Sequence, residues 1–208
     1  MAYPKAVLAK PVSASLDCTS HDALIIISND FSHLPNTPLR DAILDQAQVD
    51  SRIGNQVTLL VIAGKRVVLA PTGPLNRDYD DVRRYFDAAK LAINEAKASG
   101  SVNPAIYLPA LNTDGRYQHA LEVAYLGACQ ALWQPLEARE FHGQGIEPIT
   151  QIGLIDANEQ TIKAVNALAA GQYAARDLCG TEPERMAPPR FADYCSELFE
   201  NSAVSVDV

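Results

Sequence analysis

Ala23-Leu24-Ile25-Ile26-Ile27 sets the fold: five consecutive apolar residues, three of them β-branched, held between His21-Asp22 and Ser28-Asn29-Asp30. A strand with one wet face alternates apolar and polar residues, whereas a continuous apolar run of this length suits a strand covered on both faces. The stretch therefore predicts a central strand in a layered α/β architecture. Outward from it, short apolar runs alternate with helical periods. Thr37-Pro38 pairs a hydroxyl N-cap with proline in the first turn, predicting a helix to about Ile53 with Gly54 as its left-handed stop. Gln56–Ile62 and Arg66–Pro71 read as two strands joined tightly around Ala63-Gly64-Lys65.

The next segment predicts the strongest helix. Asp78 is its candidate cap, Asp80 and Asp81 fall in its first turn, and Val82, Tyr85, Phe86, Ala89, Ile93 and Ala96 form one stripe ended by Gly100. Ala105–Leu108 predicts a strand, Tyr117–Trp133 a helix stopped by Pro135, and Glu137–Pro148 a polar loop or hairpin. Ile149–Ile155 reads as the last strand of the layer, followed by a long helix over Glu159–Leu178. Three prolines then break the helical pattern. A short helix from about Pro189 carries Phe191, Tyr194, Cys195 and Leu198, and Ala203–Val208 alternates like a strand. The expected organisation is an amino-terminal α/β domain over 1–157, a linker helix over 158–180, and an incomplete second domain over 181–208. Its sheet is expected to be mixed, with helices on both faces.

Bulk properties narrow the function classes. The chain has 208 residues, 48% hydrophobic and 20% charged, with a net charge of −8. That sign argues against nucleic acid, whose phosphates call for a basic surface. The longest strongly apolar run, Ala23–Ile27, is too short to span a bilayer, and no signal-peptide pattern opens the chain. The expectation is a cytoplasmic protein without a membrane partner. Cys18, Cys129, Cys179 and Cys195 show no zinc-finger spacing, and reduced, mostly buried thiols are expected.

A resemblance enters at the junction. Gly171-Gln-Tyr-Ala-Ala-Arg176-Asp177-Leu178-Cys-Gly-Thr181-Glu-Pro183-Glu-Arg-Met186-Ala-Pro188-Pro-Arg-Phe191-Ala192 resembles the interdomain segment of the dizinc leucine aminopeptidases. That family reads Ala-Arg-Asp-Leu, then Thr-x-Pro-x-x-Met-x-Pro, then Phe-Ala or Leu-Ala. Val67–Pro74 and Asp78–Arg83 look like the amino-terminal domain of animal members. The resemblance implies a macro-domain-like fold and, for the full-length protein, removal of amino-terminal residues from peptides by two divalent metals, zinc or manganese, in a homo-hexamer. It gives Arg176 and Asp177 a structural role.

It implies no catalytic, cofactor or metal residue on this chain. The family's Lys-Gly-x-Thr-Phe-Asp stretch is absent. Asn112-Thr113-Asp114-Gly115-Arg116 imitates its Asn-Thr-Asp-Ala-Glu-Gly-Arg stretch but lacks the glutamate that binds metal, and lies upstream of the junction; it reads as a turn. Gly143-Gln-Gly145 has no helix start behind it to make a phosphate cradle. His21, His33, His119 and His142 are separated, and Ser13, Ser15 and Ser20 beside His21 form no nucleophile elbow. The expectation is an amino-terminal portion without hydrolytic activity of its own. The alternative is a macro-like module that binds ADP-ribose or a similar nucleotide, or that serves assembly.

Overall fold

The computed structural model describes residues 3–13, 16, 20–109, 114–143 and 146–208. Its strands are β1 (Leu8–Val12), β2 (Ala23–Ser28), β3 (Thr58–Ile62), β4 (Lys65–Pro71), β5 (Pro104–Tyr107) and β6 (Gln151–Ile155). Its α-helices are α1 (Pro38–Ala47), α2 (Arg83–Ala98), α3 (Ala120–Leu132), α4 (Leu136–His142), α5 (Glu159–Gly180) and α6 (Pro188–Phe199). The six strands form one sheet in the order β1-β6-β5-β2-β4-β3, parallel except for β3, which runs antiparallel to β4. The mixed α/β architecture expected from Ala23–Ile27 is present, and all six residues of β2 are buried.

Strand alternation sorts the core into two faces. Ala23, Ile25, Ile27, Val68, Ala70 and Ile106 meet α2, α3 and α5 on one side. Leu24, Ile26, Val67, Leu69 and Tyr107 meet Ile43 of α1, with Phe31 and Leu34, on the other. Each large aliphatic so buried contributes about 1.5–3 kcal/mol. The α2 stripe holds, with Tyr85, Ala89, Ile93 and Ala96 buried, while Phe86 is only half-buried. Small residues let α2 and α3 approach closely: a Cβ added to Gly127 would lie 2.3 Å from the Phe86 carbonyl oxygen.

Both hairpin and helix termini obey local chemistry. Ala63 (φ 49°) and Gly64 (φ 74°) form the two-residue turn between β3 and β4, with both central residues left-handed as a type I′ turn requires. The Thr37 hydroxyl accepts from the Arg40 N–H at 3.3 Å, as a cap should.

Several expectations need correction. Helix α1 ends at Ala47, six residues before Ile53, and turns carry the chain to Gly54. Asp78 does not cap α2; the position before its first residue is Val82, which has no capping bond. Asp80 instead closes the turn ahead of the helix, accepting from the Arg77 N–H at 3.0 Å. Glu137–Pro148 is not all loop, because α4 occupies its first half, with Leu136 and Arg139 buried. Ala203–Val208 is no strand: every residue is exposed and unpaired in the sheet. Of the described cysteines only Cys129 is buried; Cys179 is exposed and Cys195 intermediate, all three are free, and Cys18 lies outside the described residues.

Strand β1 has no counterpart in the sequence reading. Its outer edge is closed by side chains. The Ala9 N–H donates to Asn166 Oδ1 at 2.7 Å, Asn166 Nδ2 donates to the Ala9 carbonyl at 3.2 Å, and the Tyr125 hydroxyl donates to the Val7 carbonyl. Pro11, next in the same outward series, has no N–H to satisfy.

Candidate functional site

The junction segment builds the best-defined polar site. Asp177, on the last turns of α5, is fully buried. Its carboxylate accepts from Trp133 Nε1 at 3.2 Å, from Arg139 Nη1 at 3.1 Å and again from Arg139 Nη2, and from the Tyr194 hydroxyl at 2.8 Å. One side chain thus joins the end of α3, α4, α5 and α6. Burial and the adjacent carboxylate push the Tyr194 phenol far above its ordinary value, so it stays protonated and donates. Around this node, Leu136, Met186 and Tyr194 form a third apolar cluster with Tyr3, Leu178 and Leu198 against it. Part of the motif's spacing has a physical basis here: Asp177 and Met186 both come to Tyr194, which lies just beyond the motif.

Arg176 plays a different part. Its Nη2 donates to Gln172 Oε1 at 3.3 Å and its guanidinium lies 6.0 Å from the Tyr173 ring, while Nη1 is buried with no hydrogen-bond partner among the described residues.

Next to the node lies a cavity of about 400 Å³, walled by Tyr3, Val7, Trp133, Ile146, Ile149 and Tyr173 among others. Several of its polar groups are committed. Glu147 Oε2 accepts from Lys97 Nζ at 3.0 Å and Gln134 Nε2 at 3.3 Å, Arg139 holds Asp177, and the Tyr173 hydroxyl donates to the Cys129 carbonyl at 2.8 Å. Burial raises the Tyr173 phenol far above neutrality and the Cys129 thiol to about 12, so neither supplies a base or nucleophile at pH 7.

The four histidines singled out in the sequence do not converge on one site, and Ser20 contacts only the adjacent His21 among them. His21 is buried just before β2, its Nδ1 3.3 Å from Ser20 Oγ. His33 pairs with Asp30 at 3.8 Å, His119 with Glu122 at 3.3 Å, and His142 packs edge-on against Phe141. Ser13 is exposed and Ser15 lies outside the described residues. Asp114 accepts from the Arg116 N–H at 3.0 Å and opens a short 3-10 turn over Gly115–Tyr117, as the turn reading of Asn112–Arg116 expects; Asn112 and Thr113 lie outside the described residues. Gly143 (φ 80°) ends α4, and Gln144 and Gly145 of the Gly-Gln-Gly stretch lie outside the described residues. Among the described residues, no group of three or more His, Cys, Asp or Glu side chains could hold a metal ion. The described residues do not fit a dimetal centre.

Sequence reasoning missed Arg139, Trp133 and Tyr194 as partners of Asp177, and Asp80 as a second buried node. Asp80 accepts from Arg77 Nη2 at 2.7 Å and Arg84 Nη2 at 3.0 Å, and these arginine bonds hold its carboxyl far below the usual carboxylate range. The signal available was an aspartate flanked by arginines three residues before and four after.

No protein-family model matches the chain. A Caenorhabditis elegans protein named as a putative aminopeptidase is 38% identical over 159 residues, covering 74% of this chain and 29% of that protein. A tomato leucine aminopeptidase mutant shares the fold with a TM-score of 0.66 and 17% identity, over 96% of this chain and 43% of its own. In sequence the chain is similar to a putative aminopeptidase, and in fold to leucine aminopeptidases. A Leishmania major leucyl aminopeptidase, solved with actinonin, shares the same fold with a TM-score of 0.62 and 12% identity, over 94% of this chain and 40% of its own. The chain therefore spans less than a third of the curated nematode relative and less than half of these solved leucine aminopeptidases. No described helix is long and apolar enough to cross a membrane.

Proposed function

We propose that this chain is the amino-terminal portion of a leucine aminopeptidase-type enzyme, and that it supplies structure and not chemistry. The 38% identity to the nematode protein over 159 residues carries the reading. In this proposal residues 1–157 are the amino-terminal domain, 158–180 the linking helix, and 181–208 the opening of a catalytic domain whose lysine and carboxylate ligands follow in the longer protein. That protein would remove amino-terminal residues from peptides in the cytoplasm, as a homo-hexamer using two zinc or manganese ions, with the metals polarising the scissile carbonyl and activating water. The Asp177 node would hold the linking helix to α4 and α6 and so fix the direction in which the chain enters the second domain. Sequencing the transcript beyond the Val208 codon tests this. A reading frame carrying the Lys-Gly-x-Thr-Phe-Asp and Asn-Thr-Asp-Ala-Glu-Gly-Arg stretches is expected; a long continuation with neither would contradict it.

A further inference from the structure

The sheet has two edges, and the protein treats them differently. Along the β1 edge most outward backbone groups are taken or removed: the Val7 carbonyl by Tyr125, the Ala9 N–H and carbonyl by Asn166, and the Pro11 N–H by its own ring. Lys10 adds a charge there. These are the devices that keep an edge from pairing with a second chain.

Strand β3 carries none of them. The two-residue turn at Ala63-Gly64 makes Ile62↔Lys65 a hydrogen-bonded pair, so Leu60 and Thr58 also bond inward to β4. Leu59 and Val61 then direct their N–H and C=O groups away from the sheet. Among the described residues, neither makes a backbone hydrogen bond outside the β3–β4 ladder. The Val61 side chain is 67% exposed. From Ile53 to Gly64 there is no charged side chain, in a chain of net charge −8.

We infer that the free edge of β3 pairs with the β3 edge of a second copy, antiparallel about a two-fold axis at Leu60, to give one continuous sheet of twice six strands. The geometry is self-complementary. Centring the pair on Leu60 sets Val61 opposite the second copy's Leu59 and Leu59 opposite its Val61. Both pairs are hydrogen-bonded pairs, so four N–H···O bonds form without disturbing β4. Val61 packs across the strand on Leu59, which covers its exposed side chain, while Leu60 faces Leu60 on the opposite side of the sheet. Neither strand carries a charged side chain, so no like charges meet across the pair. The inference is independent of the aminopeptidase reading. A strand pair alone is a small interface, so the association is weak.

The test is sedimentation velocity of the 208-residue chain from roughly 1 to 300 µM, with amide exchange followed by NMR at both ends of that range. Concentration-dependent, reversible self-association is expected. At the high end, exchange at Leu59 and Val61 should slow by about tenfold or more, and at Leu60 it should stay constant, because Leu60 is already in the ladder. Val61→Lys places two charges across the axis, and Val61→Pro removes an outward N–H without touching a ladder bond. Each is expected to weaken association at least about tenfold while leaving the far-ultraviolet spectrum unchanged. If Val61→Pro unfolds, Val61→Lys, at an exposed side chain, decides alone. A chain that stays monomeric throughout, one whose association survives Val61→Lys, or one that associates without slowing Leu59 and Val61, would overturn the inference.

Discussion

Asp177 concentrates the chemistry of this chain in one carboxylate. It satisfies a guanidinium, an indole N–H and a phenol in a place water does not reach. Removing one member of a buried pair leaves the other charge uncompensated, at a cost of about 3–5 kcal/mol. Asp177→Ala is therefore expected to lower stability by that amount in urea unfolding, while Asp177→Leu with Arg139→Met together should lose less than the first change alone. Equal losses would mean that Arg139 draws nothing from Asp177.

Asp22 works at the same scale and adds a pH dependence. It accepts from Ser101 Oγ at 2.5 Å and the backbone N–H groups of Val102 and Asn103 at 2.8 and 3.1 Å, tying the approach to β5 to the start of β2. Burial works to raise its pKa, but these hydrogen bonds and Arg66 outweigh it and hold the group below its ordinary 3.8. A carboxylate depressed in the folded state contributes fully above its unfolded value, and the contribution is lost as pH falls through the folded one. Melting temperature should thus hold from about pH 5 to 8 and drop below about pH 4. In Asp22→Asn that acid-side drop should shrink, at a cost near neutrality of about 1–2 kcal/mol.

Among the elements, the α2–α3 contact depends on a missing side chain. A Cβ at Gly127 would meet the Phe86 backbone well inside van der Waals contact, so the helices must separate to accept it. Gly127→Ala should cost about 1–3 kcal/mol in thermal or urea unfolding despite its better helix propensity; a gain would show that the helices part freely. The β1 edge makes a second case. Asn166→Ala strips both bonds from Ala9 and should destabilise the fold by about 1–2 kcal/mol, with faster amide exchange at Ala9.

These elements also show what is legible in the sequence. Strand β2 and the α2 stripe can be read because burial imposes a continuous run on one and a 3.6-residue period on the other. Strand β1 cannot, because Leu-Ala-Lys-Pro-Val has no alternation and its closing partners lie 118 and 157 residues away in the chain. Helix α4 is hidden by its seven-residue length and polar neighbours. The junction motif is legible as a pattern. Its partners are not, since Trp133, Arg139 and Tyr194 meet Asp177 only once four helices are in place.

At the scale of the molecule, the layered sheet and the helical node at Asp177 are in keeping with the structural role proposed for this chain. Buried tyrosines and Cys129 are held protonated, the carboxylates in the two buried nodes are neutralised by arginines, and no described cluster suits a metal. The kinship with aminopeptidases is carried by the fold and the 159-residue match, and the chemistry is proposed to reside in the remainder of a longer protein. The most direct test is hydrolysis of a leucyl chromogenic amide by the purified 208-residue chain, with added zinc or manganese and with chelator as control. No turnover above the chelated control is expected under any metal condition. Metal-dependent turnover that co-purifies with the folded chain would contradict a purely structural role.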